Sequence, residues 1–307
     1  MAISTWFHSL DSYCQELDAK MRVISYFMKA RPDEHFRFWD EGIGRALPRL
    51  LGDSVDYVEL RSDHGKYRVK STDYDIAYCQ LFAIPDRRPA KFVYATIGDY
   101  RGHEKELAKW IADVRPNLLA CLQDMPAELV EYCKSKGCVA RLLPWFVLSD
   151  EAYIAKDLTG MCSGCIFPAT YPRRAEIYAY LAERRRDDVV LSGSEQFGKY
   201  RLSNEEYERL LRRTKYYLSG GIYDLLVPPK YYEAANVGAC LVCFPMPMME
   251  QVGFVDGQTY ISISSVRDID AVLGSDRYLQ IGKNAQQMIR ERHTAWRRAQ
   301  QILECVT

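Results

Sequence analysis

Short apolar runs rich in β-branched and aromatic residues alternate along the chain with stretches whose apolar positions recur at helical spacing. Runs of the first kind predict buried strands, and stretches of the second predict amphipathic helices. Residues 6–20 predict a leader helix, 21–28 a strand, 42–51 a helix and 55–60 a second strand. The alternation continues with strands at 74–80, 91–97, 117–122 and 139–143, and with helices at 104–113 and 127–135. Strands alternating with helices imply a parallel sheet covered on both faces. This first series ends near Pro144 or Trp145.

Residues 147–160 carry no strong period and are read as the connection to a second series. That series predicts strands at 161–167, 189–191, 215–218, 239–244 and 261–264, helices at 173–185, 204–213, 230–237 and 266–273, and one long terminal helix at 281–304. The expected fold is α/β, with two domains, 1–150 and 151–307. Their strand carboxyl ends would face a central cleft, where open α/β sheets bind ligands.

Composition narrows the partners. The chain has 307 residues, 48% of them hydrophobic, enough for two ordinary cores. Its 41 basic and 41 acidic residues cancel, which removes the long-range attraction that nucleic-acid binders use, so no nucleic-acid partner is expected. The longest apolar run, 238–249, is interrupted by Pro245 and Pro247, so no transmembrane segment is expected. Met1 to Ser4 lack the basic flank and apolar core of a secretion signal, and the expected location is cytoplasmic.

The ten cysteines lie mostly inside apolar segments, as reduced core thiols do. Two pairs, Cys162 with Cys165 and Cys240 with Cys243, have the C-x-x-C spacing of zinc sites. Cys240 and Cys243 fall in a predicted strand, where residues three apart face opposite ways, so no zinc site is expected there.

The most informative stretch is 227–242. Pro228 and Pro229 end whatever precedes them, Lys230 falls in the first turn of the helix that follows, and Glu233 stands three residues on, on the same face. Free N–H groups and an ammonium at a helix start suit an anion such as a diphosphate, and a carboxylate beside them can accept two hydroxyl hydrogen bonds, as from a ribose. Gly238 would end the helix and allow a turn into the next strand.

This order of Lys, aromatic, Glu, small residues, Gly and apolar strand resembles the donor-site motif of GT-B glycosyltransferases, in particular the spore-maturation-protein-like group. Downstream, Phe254, Asp256 and Gly257 resemble that family's Phe-x-Asp-Gly block, and His293 and Thr294 its terminal His-Thr helix. Upstream, 161–164 followed by Tyr171 and Arg174 resemble its strand, glycine-containing loop and Arg-bearing helix. The ordered set spans residues 159–302.

The resemblance implies a transferase with two Rossmann-like domains, taking a nucleotide sugar, with UDP or GDP as its nucleotide, as donor and a glycan, lipid-linked or small-molecule hydroxyl as acceptor. It implies that Glu233 binds the donor ribose, that Lys230 and Arg174 neutralise the diphosphate, that Gly164 lies by the donor loop, and that Gly238 belongs to the same block. Retaining families with a Glu-x7-Glu motif would carry a second glutamate at 225, where Leu225 stands beside Asp224, so the stereochemical outcome stays open.

The first domain is expected to hold the acceptor and its general base. By position beyond predicted strands the candidates are Asp99, His103 and His35, ahead of Asp40 and Glu41. No Asp-x-Asp pair follows a strand, and the expected chemistry is metal-independent, with protein cations and backbone amides holding the leaving group. Two other readings fit the same residues: another enzyme on the two-lobed scaffold, such as an epimerase or an exostosin-like transferase, and a non-catalytic nucleotide-sugar binder.

Overall fold

The computed structural model describes residues 21–28, 43–52, 54–60, 65–69, 71–80, 82–98, 103–122, 125–148, 151–163, 171–192, 202–223 and 226–306. The leader helix expected at 6–20 lies outside them. Two compact units form, one of Met1–Pro144 with Thr294–Thr307 and the other of Trp145–His293. The first ends at Pro144, where the periodic pattern changes, and it also takes the C-terminal segment that the sequence division left with the second.

The first unit is built on β1 (Arg22–Met28), α1 (Leu47–Leu51), β2 (Ser54–Leu60), β3 (Gly65–Tyr67), β4 (Tyr74–Cys79), β5 (Ala83–Pro85), β6 (Ala90–Ile97), α2 (Glu104–Val114), β7 (Leu118–Cys121), α3 (Ala127–Ser135) and β8 (Val139–Leu142). Six strands form one sheet in the order β2-β1-β4-β6-β7-β8, and every pair is parallel. Helix α2 forms because Leu107, Trp110, Ile111 and Val114 recur on one face, which is buried, while Glu104 and Glu106 in its first turn complement the helix dipole. Trp110 finds a partner for its indole N–H in the Ala83 carbonyl, 3.0 Å away. Helix α1 is shorter than the sequence predicts. Pro48, which has no N–H to donate, confines its regular turns to 47–51, and residues 43–46 make a wider turn ahead of them. The three-residue strands β3 and β5, which were not predicted, pair with each other and, among the described residues, with no other strand.

The second unit repeats the architecture with β9 (Leu158–Ser163), α4 (Pro172–Arg184), β10 (Val189–Ser192), α5 (Asn204–Arg213), β11 (Thr214–Leu218), α6 (Pro229–Asn236), β12 (Cys240–Cys243), β13 (Tyr260–Ser262), α7 (Ile269–Leu273) and α8 (Tyr278–Arg292). Its strands run parallel in the order β10-β9-β11-β12-β13. Successive crossovers therefore leave β9 in opposite directions, and the switch point falls between β9 and β11. In doubly wound sheets the ligand crevice opens beyond the carboxyl ends of the strands at that point.

The single terminal helix expected over 281–304 is two helices. Helix α8 stops at Arg292, and α9 (Ala295–Leu303) starts anew from Thr294, whose side chain accepts from the backbone N–H of Arg297. A threonine that caps a helix start favours non-helical backbone there, which breaks the run. His293, 4% exposed, is held at the break by a 2.9 Å hydrogen bond between Nε2 and the Val252 carbonyl. Helix α9 packs on α1 of the first unit, and its buried Arg298 donates from Nε to the Pro144 carbonyl at 2.8 Å. No helix among the described residues is long and apolar enough to cross a membrane.

Candidate functional site

Beyond the carboxyl ends of β9 and β11, side chains from four elements of the second unit meet. Ser163 ends β9, and its Oγ lies 2.8 Å from the hydroxyl of Tyr217 on β11, both buried. The Lys230 ammonium reaches the same Ser163 Oγ at 3.4 Å and stands 4.8 Å from the centre of the Tyr207 ring on α5. Tyr207 in turn donates to Glu233 Oε2 at 3.0 Å. Burial, with the neighbouring oxygens of Tyr217 and Glu233, pushes the Tyr207 phenol well above its ordinary range, so it remains a donor at neutral pH. Burial also raises Tyr217, to about 12, against the lowering effect of the nearby Arg174.

Local sequence explains this placement. Pro228 caps α6 in extended conformation and Pro229 takes the first helical position, where the missing N–H has no intrahelical acceptor to lose. Lys230 therefore lies in the first turn and Glu233 about one turn on, the former half-buried and the latter exposed. Helix α5 is fixed by a capping box, with the Glu206 N–H donating to Ser203 Oγ and the Glu206 carboxylate accepting from the Ser203 backbone.

Arg174, in the first turn of α4, is 5% exposed. Its Nη2 donates to the Gly220 carbonyl at 3.1 Å and its guanidinium lies 4.3 Å from the Tyr171 ring centre, but among the described residues its buried Nε has no partner. Gly220 lets the loop after β11 run directly against α4: a Cβ there would sit 2.4 Å from the Arg174 backbone nitrogen. A guanidinium held on a neutral carbonyl and a ring can take an anion as a further partner.

Over residues 173–304, less than half of the chain, the sequence matches a family described as glycosyl transferase-like. Among solved structures, sucrose-phosphate synthase from Thermosynechococcus elongatus superposes with a TM-score of 0.59 at 10% identity, over 92% of this chain and 97% of that one. HepE from Anabaena, solved in complex with UDP and glucose, gives a TM-score of 0.53 at 11% identity, over 92% and 98%. TarM gives 0.54 at 12% identity over 78% of this chain, which spans only 56% of TarM's length.

The fold is that of the GT-B glycosyltransferases.

No curated protein sequence matches the chain. The GT-B likeness covers both units, whereas the family match is confined to the region that carries the Lys230 and Glu233 motif.

Of the donor residues expected from sequence, Arg174, Lys230 and Glu233 all lie in the second unit near the switch point, and Gly164 lies outside the described residues. Gly238 ends the helix, as its sequence position predicts. It follows the C-terminal end of α6, roughly 12 Å along the helix from Lys230 by the usual rise per residue. Its φ of +72° and the bonds from the Gly238 N–H to Ala235 and from the Ala239 N–H to Ala234, each 2.9 Å, form a Schellman termination. Gly238 thus ends α6 through its backbone.

Of the base candidates, His35, Asp40, Glu41 and Asp99 lie outside the described residues. His103 is exposed at the position preceding α2, where its carbonyl accepts from the Leu107 N–H at 2.9 Å and its ring lies 6.1 Å from that of Phe82. The thiols of Cys162 and Cys240 sit in one buried core cluster, while Cys243 Sγ lies 3.9 Å from Met249 Sδ outside that cluster. Burial holds Cys240 up at about 12. Among the described residues no group of three or more His, Cys, Asp or Glu side chains is arranged to hold a metal ion. A cavity of about 580 Å³ opens in the first unit against Asp75, Lys91, Phe92, Asn117 and Val139, at the amino ends of its strands, away from the ligand edge of such a sheet.

Sequence reasoning missed Ser163, Tyr207 and Tyr217. Tyr207 left a trace: it is an aromatic residue among Asn204, Glu205, Glu206 and Glu208 at the start of its helix.

Proposed function

We propose that the chain is a glycosyltransferase that takes a nucleotide sugar as donor and passes the sugar to a hydroxyl of a glycan, lipid-linked or small-molecule acceptor. The observation that carries this reading is Arg174, buried at the switch point with an Nε that has no partner among the described residues, beside the Lys230, Ser163, Tyr217, Tyr207 and Glu233 cluster. A diphosphate would satisfy the guanidinium and the ammonium together, and Glu233 would accept from ribose hydroxyls. The nucleotide is proposed to be UDP, because HepE and TarM were both solved with UDP.

As the sugar leaves, negative charge develops on the diphosphate. Arg174 and the Lys230 ammonium would stabilise it without a metal. The acceptor proton would pass to a base of the first unit, with His103, Asp99 and His35 the candidates.

A thermal-shift screen of the full chain against UDP, GDP and their sugars tests the reading. A ligand at one hundred times its dissociation constant adds about 2.7 kcal/mol to the folded state. Unmoved unfolding midpoints with every nucleotide would refute the proposal.

A further inference from the structure

Tyr207 sits between the two charged residues of α6. Its phenol donates to Glu233 Oε2 at 3.0 Å, and its ring lies 4.8 Å from the Lys230 ammonium. Glu233 is exposed and its carboxylate would otherwise turn freely; a hydrogen bond to one oxygen leaves the other in a fixed direction. The ring meanwhile lends the ammonium a π face to rest on, beside Ser163. The helix bearing Tyr207 is itself pinned by the Ser203 and Glu206 capping box, so the phenol is held by a rigid element.

We infer that Tyr207 is a positioning residue of the donor site: its hydroxyl aims the free oxygen of Glu233 at the ribose, and its ring sets Lys230 against the diphosphate. The inference rests on the donor reading above and adds a residue to it. It separates the two parts of Tyr207. Removing the hydroxyl disturbs ribose recognition alone, and removing the ring as well also disturbs diphosphate recognition.

The test is calorimetric titration of the full chain with UDP and with 2′,3′-dideoxy-UDP, for wild type, Tyr207→Phe and Tyr207→Ala, each checked for a cooperative melt. Wild type is expected to prefer UDP. Tyr207→Phe should weaken UDP by about tenfold, the order of one charge-assisted hydrogen bond, while leaving the dideoxy ligand unchanged. Tyr207→Ala should weaken both. Equal weakening of both ligands by Tyr207→Phe would mark a merely structural tyrosine and overturn the inference, as would no change in either. If wild type binds neither ligand, the donor reading fails first and the inference with it; if wild type binds both equally, Glu233 has no ribose to aim at and the inference alone falls.

Discussion

Arg174 Nη2 donates to the Gly220 carbonyl at 3.1 Å, and this neutral acceptor is the hydrogen-bond partner found for a guanidinium that is 5% exposed. A buried cation with a carboxylate partner would be costly to remove, because its counter-charge would be stranded. Here removal strands one carbonyl and relieves the desolvation of a charge.

Arg174→Met is therefore expected to separate stability from binding. Stability should stay within about 1 kcal/mol of wild type or rise, while UDP affinity falls by at least about tenfold. Urea denaturation and calorimetry measure the two. A loss of about 3 kcal/mol or more in stability with unaltered affinity would make Arg174 a structural residue.

Gly238 gives the complementary case. Its φ is +72°, and an added Cβ would lie 2.7 Å from the Tyr153 ring. Gly238→Ala should destabilise the second unit by about 1 to 3 kcal/mol through left-handed strain and overpacking. Nucleotide affinity, measured where the variant is still folded, should not change. A variant of wild-type stability with weakened affinity would return Gly238 to the binding site.

The contrast between these two residues shows what was legible in the sequence. Gly238 and Lys230 are eight apart, and their relation to one helix could be read from the prolines, the spacing and the glycine. The burial of Leu107, Trp110, Ile111 and Val114 followed in the same way from a local period. The site itself depends on contacts that no local pattern carries. Ser163 meets Tyr217 across 54 positions and Arg174 meets Gly220 across 46, each because parallel strand order brings distant loops to one edge. The break at Thr294 was legible as a capping residue but was overridden by the apolar period on either side of it.

Lys156 supplies a pH signature. Lys156 is 9% exposed, its ammonium donates to the carbonyls of Arg212, in the last turn of α5, at 2.6 Å and of Val237, just past the end of α6, at 2.5 Å, and burial lowers it from 10.5 to about 8. Between about pH 8 and 10.5 the unfolded chain holds a proton that the folded chain has released, so stability from this group rises with pH in that window. The penalty is fully present below pH 8. Buried thiols such as Cys240 act in the opposite direction, but equally in wild type and in Lys156→Met. The stability of wild type relative to Lys156→Met should therefore climb between pH 8 and 9.5, by about 1 kcal/mol per unit. A difference that is flat or falling in paired urea titrations would show that Lys156 titrates normally.

The last prediction concerns the division of labour between the two units. If donor binding belongs to the second and the acceptor base to the first, single substitutions should produce two kinds of defect. Lys230 reaches Ser163 at 3.4 Å beside the proposed diphosphate position, and its loss removes a cation that attracts the ground-state donor as well as the departing diphosphate. Lys230→Ala should raise the donor Kd about tenfold or more and lower kcat further. His103 is exposed before α2 in the first unit, so if the donor belongs to the second, His103→Ala should leave the donor Kd within about twofold of wild type. If His103 is the base, kcat should fall by at least about tenfold. The same assay on His35→Ala and Asp99→Ala covers the other candidates. Unchanged kcat in all three, with donor still bound, would rule out general-base catalysis by these residues and direct the search to the donor phosphate as proton acceptor. A His103→Ala defect confined to donor affinity would instead place this histidine in nucleotide binding and reverse its assignment.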